Sequence, residues 1–183
     1  MAVIFTIKYW CTELLSMIRT QSNSNHKNVR RWKKLTDEWN PKKPEMHFLL
    51  LGMTHEHILV EIKALALRHA VIFTSENLLE DAQEFSRTLE RNNVAIHEII
   101  CVSPFEPESI EVMTNQILAV SRKYSPSYSI VCGLTGGTNL MVSAMTMAAF
   151  LAGLPCHYSM QRETNPVIKV DYLQKKHDEV FGK

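Results

Sequence analysis

Residues Gly133–Met141 read GLTGGTNLM, with the apolar run Tyr128–Gly133 before them and an alanine-rich stretch to Gly153 after them. The run has the length and make-up of a buried strand. The stretch that follows sets Ala144, Ala148, Ala149 and Ala152 among Leu140, Met141, Met145, Phe150 and Leu151, which describes a helix apolar nearly all round and therefore buried on most sides. The residues between are a strand-to-helix loop. Gly136 and Gly137 allow positive φ and a close backbone approach to a ligand. The amides of Gly137, Thr138 and Asn139 fall in the first helical turn, where they have no intrahelical acceptor and sit at the positive end of the dipole. Thr135 and Thr138 add hydroxyls, so the loop has the chemistry of a phosphate cradle that needs no lysine. The same residues would also serve as a plain tight turn with Thr138 as helix cap. No Gly-Lys-Ser/Thr follows and no GxGxxG is present, so this is neither a Walker loop nor a dinucleotide fingerprint.

Working outward, strand and helix patterns alternate. His47–Leu51 is an apolar run ending at Gly52, and a helical period follows from about Glu56 to His69. Ala70–Thr74 is β-rich. Glu76–Asn92 places Leu78, Leu79, Ala82, Phe85 and Leu89 on one helical face, and Ala95–Val102 is a third strand. Pro107 and Glu108 open a helix to Tyr124, Tyr128–Gly133 is the fourth strand, and Thr138–Gly153 the fourth helix. Cys156–Met160 and Val167–Tyr172 read as a late hairpin around Arg162–Pro166. This order predicts an α/β, Rossmann-like, mostly parallel sheet with helices on both faces. Such sheets bind ligands at the carboxyl ends of their strands, which singles out Gly52–His57 and Leu134–Asn139.

The 183 residues, 45% hydrophobic and 21% charged, suit a soluble globular protein, and no apolar run is long enough to span a membrane. The N-terminus lacks the basic lead, unbroken apolar core and cleavage site of a signal peptide, so a cytoplasmic location is expected. Cys11, Cys101, Cys132 and Cys156 form no CxxC pair and no zinc-like spacing, and neither a metal nor a cofactor is expected. The net charge is +1, but residues 1–45 hold nine Lys/Arg against four Asp/Glu while the remainder is acidic on balance. Residues 1–45 therefore read as a basic helical appendage, or as a misassigned start, since Met46 immediately precedes the first strand. Trp32 and Trp39 among Arg30, Arg31, Lys33 and Lys34 would suit nucleic-acid contact, although short basic segments are also commonly just solvated. His55 and His57 are too close in sequence to share a helical face and make a poor metal pair. His57 is expected on the surface, and His97 and His157 as structural strand residues.

The strand, the TGGT followed by Asn139, Leu140 and Met141, and the alanine-rich helix together resemble the CRISPR-associated Rossmann-fold (CARF) domain family over about residues 46–160, within a domain expected to run over 46–173, with 174–183 as a short tail. The resemblance implies a homodimer that binds a cyclic oligoadenylate second messenger across the subunit junction. Gly52, Met53, Thr54 and His55 fall where the family has its other ligand segment. Thr54 and His55 would lie near ribose and phosphate, Thr135, Gly136, Gly137, Thr138 and Asn139 would cradle phosphate, and Met141 would pack beneath or against an adenine. Some relatives are ring nucleases, which cleave by attack of a ribose 2′-hydroxyl on its neighbouring phosphate, and the residues matching that role are Thr54 and Asn139. Many members have lysine where Asn139 stands, so the cation that would stabilise the developing charge is missing here. A sensor that binds the messenger is the leading reading, with ring cleavage and a ligand-switched nucleic-acid regulator as alternatives. Two arginine–histidine spacings, Arg19 to His26 and Arg91 to His97, formally match the ribonuclease motif carried by some relatives, but neither falls on a long helix.

Overall fold

The computed structural model describes residues 43–106, 108–160 and 167–182. The readings placed on residues 1–42 and on the hairpin tip at 161–166 lie outside them. The sheet starts with β1 (Glu45–Leu51), which leads through α1 (Glu56–Leu65) to β2 (His69–Ser75). A single 3-10 turn and α2 (Leu79–Arg91) lead to β3 (Ala95–Val102), and α3 (Ser109–Tyr124) leads to β4 (Ser129–Gly133). Then come α4 (Asn139–Ala152), β5 (Cys156–Ser159), β6 (Val167–Lys169) and α5 (Asp171–Phe181). The six strands stand in the order β3-β2-β1-β4-β5-β6, all parallel except β6, which runs antiparallel to β5. The expected α/β architecture with its late hairpin is present.

Alternation along β1 builds two cores. Leu49 and Leu51 join Ile72 of β2, Ile58 of α1, and Ala82, Phe85 and Leu89 of α2 in one buried cluster. Phe48 points to the other side, where its ring packs on Phe73. On that side α3 packs against α4 and α4 against α5, and the Thr114 hydroxyl of α3 reaches the Ala144 carbonyl of α4 at 3.4 Å.

Several boundaries differ from the sequence reading. Helix α1 ends at Leu65 instead of His69, because Ala66 takes left-handed φ 50° and its N–H closes back on the Ile62 carbonyl. Leu67 is buried after that turn. Strand β6 stops at Lys169, and Asp171 opens a helix that buries Leu173 and His177. The C-terminal segment is therefore docked: the His177 Nδ1–H donates to the Phe150 carbonyl at 2.7 Å. Among the described residues, no helix is long and apolar enough to cross a membrane.

Candidate functional site

The sheet order reverses direction at β1, whose neighbours are β2 on one side and β4 on the other. Successive crossovers leave in opposite directions from this point, which opens a crevice beyond the strand ends. Both singled-out loops emerge here, and they touch backbone to backbone. A methyl group added at Gly52 would sit 2.8 Å from the Gly137 nitrogen. One added at Gly136 would sit 2.3 Å from the Leu50 carbonyl oxygen and 2.5 Å from His57 Nε2. Gly136 and Gly137 have φ of 94° and 66°, conformations that only glycine adopts cheaply. The glycines are therefore required twice over, by φ and by space.

Beyond the loop, Thr138 caps α4: its Oγ1 accepts the Met141 N–H at 3.3 Å. The cap leaves other first-turn amides available to a ligand. Met141 faces inward at 2% exposure with its sulfur under the Thr138 amide, so it braces the loop from below. Asn139 is exposed at the first helical position, and its carbonyl accepts the Ser143 hydroxyl. We expect Thr138→Ala to cost about 1 kcal/mol, seen as a lower urea midpoint at constant m, and Thr138→Ser to recover most of it.

The first loop divides its residues between two directions. Thr54 is exposed and lines a cavity of about 380 Å³ together with Glu56, His57, Val60, Ser159 and Met160. Met53 is 90% exposed. His55 lies against the Phe85 ring of α2, with centroids 4.3 Å apart. His57 corrects its reading as a surface residue: it is 2% exposed, and its Nε2–H donates to the Leu50 carbonyl at 3.2 Å. Burial holds its pKa below the usual imidazole range, and the facing carbonyls of Leu50 and Thr135 oppose that only in part. The ring is thus a neutral donor wedged where the two loops meet.

Sequence reasoning missed Ser159 and Met160. They stand at the carboxyl end of β5, the strand next to β4, and that position was the only available signal. Ser159 is tied to the loop, since its N–H donates to Thr135 Oγ1 at 2.6 Å. Arg91 closes α2 and His97 lies in β3, a helix-to-strand joint unlike a ribonuclease helix. His97 instead meets His69, with ring nitrogens 3.1 Å apart. Among the described residues, no three His, Cys, Asp or Glu side chains converge as a metal would require. Cys132 and Cys156 are buried free thiols in adjacent strands.

A glycine-built crevice at the reversal point of a 3-2-1-4-5-6 sheet is a Rossmann-type arrangement. Several solved structures share this fold. Csm6 from Enterococcus italicus, solved bound to cyclic hexa-2′-fluoro-hexa-dAMP, superposes with a TM-score of 0.61 at 13% identity, covering 76% of this chain and 45% of that one. Can2 from Sulfobacillus thermosulfidooxidans in complex with cyclic tetra-adenylate gives 0.54 at 16% identity, over 70% of this chain and 35% of that one. A type III CRISPR defence DNA nuclease activated by cyclic oligoadenylate gives 0.57 at 14%, over 72% and 20%. The chain spans less than half the length of each of these structures. No family model and no curated protein matches the sequence.

Proposed function

We propose that this chain is a CRISPR-associated sensor that binds a cyclic oligoadenylate at the carboxyl ends of β1, β4 and β5, as one half of a two-fold homodimer. The contact of Gly52 with Gly137 carries the reading, because it fuses two loops into one amide-rich floor beside an open cavity. Similar domains solved with such rings bound support the ligand class. With an acidic domain, affinity would come from oriented amides, hydroxyls and base stacking doubled by symmetry, more than from long-range attraction. Thr54 and Asn139 are both exposed at the site, which keeps a slow ring-opening activity as the second reading.

Titration calorimetry with cyclic tetra- and hexa-adenylate tests the proposal. Saturation at one ring per two chains is the expected result. Absence of heat from both rings at micromolar protein overturns the ligand, and saturation at one ring per chain overturns the shared site. Ring opening, if detected, should disappear in Asn139→Ala or Thr54→Ala variants that remain folded.

A further inference from the structure

Behind the cavity, α1 carries a carboxyl group sealed from water. Glu61 is 1% exposed, and its Oε1 accepts the Ser159 hydroxyl at 2.7 Å. Ser159 in turn holds Thr135 through its N–H. Ser159 thus joins α1, through its hydroxyl, to the loop after β4, through its backbone N–H. From the other side comes the fully buried ring of His157, whose Nδ1 faces Glu61 Oε1 at 3.6 Å. Its Nε2 lies 3.4 Å from His47 Nδ1, and His47 Nε2 lies 3.4 Å from Glu45 Oε2, which reaches the surface.

The His157 Nε2–H can donate to His47 Nδ1 across 3.4 Å. A neutral His157 is left with a bare Nδ1 facing Glu61. An ionised Glu61 would set its negative charge against that lone pair across 3.6 Å, whereas a carboxylic acid removes the repulsion. Burial acts in the same direction on both groups, raising the Glu61 pKa to about 8 and pushing His157 well below the imidazole range.

We propose that Glu61 is a positioning residue for the phosphate loop, acting through Ser159, and that it must keep its proton for the adjoining cavity to accept an anion. Loss of the proton places a negative charge one side chain behind the cavity wall. Among the described residues, nearby charged or titratable groups have other partners or reach solvent. Lys169, opposite His157 in the β5–β6 register, pairs with Asp171 at 3.1 Å. His57 donates to Leu50, and Glu56 stands at the exposed rim. The proton requirement rests on reading the cavity as an anion site; the positioning role does not.

Two measurements separate these parts. In the unliganded full chain, amide hydrogen exchange at Gly136–Thr138 should rise about tenfold in Ser159→Ala and stay near wild type in Glu61→Gln, whose amide can reproduce the protonated acid. Exchange in Ser159→Ala equal to wild type overturns the positioning role. The affinity of the wild type for cyclic tetra-adenylate should weaken roughly tenfold from pH 6.5 to 9, while Glu61→Gln gives a flat profile. A flat wild-type profile overturns the proton requirement but leaves the ligand reading standing. If the wild type binds no ring, the ligand reading and the proton requirement fall together, and exchange still decides the positioning role.

Discussion

Gly136→Ala is expected to lower the melting temperature by about 10 °C and to abolish binding of a cyclic oligoadenylate. The new methyl group would meet the Leu50 carbonyl at 2.3 Å, and that oxygen belongs to β1, the central strand, which has no room to yield. It would also meet His57 Nε2 at 2.5 Å, so relieving one contact costs the His57–Leu50 hydrogen bond. The φ of 94° adds a backbone penalty of about 1 to 2 kcal/mol for any L side chain. Clash and strain together should reach about 4 kcal/mol unless the whole loop lifts off β1. Lifting would reduce the stability loss but would also disperse the first-turn amides, so binding is lost on either route. Gly182→Ala isolates the backbone term: Gly182 has φ 69° with nothing within 4 Å, and about 1 kcal/mol is expected there. Differential scanning calorimetry of the two variants makes the comparison. Equal melting temperatures for Gly136→Ala and wild type would show that the two loops do not meet as described.

How much of this was legible beforehand depends on whether a feature is local. The strand at 95–102 was placed to the residue, and helix α4 runs from just after its cap Thr138 to just before Gly153, because alternation, small-residue composition and capping all act over a few residues. The two loops could be paired in advance because a parallel sheet brings its strand ends to one edge. Ala66 could not be foreseen, since a left-handed alanine has no compositional mark. His57 was misplaced for a similar reason. A histidine in the first turn of a helix has a polar signature, and only the fold places Gly136 and the Leu50 carbonyl against it. The polar chain from Glu45 to Thr135 was wholly hidden. Its members lie at positions 45, 47, 61, 135, 157 and 159, and apart from Thr135, read as part of the phosphate loop, each looks ordinary in its own segment. Gly133 carries a trace of it: a methyl group there would sit 3.1 Å from the His157 ring, so the glycine at the end of β4 makes room for the imidazole.

That chain also sets a pH-dependent stability, and Glu61→Gln should stabilise the protein at alkaline pH. Folding raises the Glu61 pKa from 4.5 to about 8, chiefly by burial, with the Ser159 hydroxyl opposing. Between those values the folded chain holds a proton that the unfolded chain has released. Stability from this group is therefore complete at acid pH, falls as pH rises through the interval, and levels off above about 8. His157 acts with the opposite slope. Its folded pKa lies well below 6.5, so its contribution is complete above 6.5 and is lost as the pH falls below that. Glutamine removes the first effect and leaves the second. Near pH 4.5 the variant and wild type should melt within about 2 °C of each other, whereas at pH 8.5 the variant should melt about 5 °C or more higher, on the order of 3 kcal/mol. The alternative charge state, carboxylate with imidazolium, predicts the reverse. Removing one partner of a buried ion pair would leave an uncompensated His157 cation, and the variant would be the less stable protein at neutral pH. Melting curves of the two proteins from pH 4.5 to 8.5 therefore decide where the proton resides, because the two arrangements differ in the sign of the change and not merely in its size.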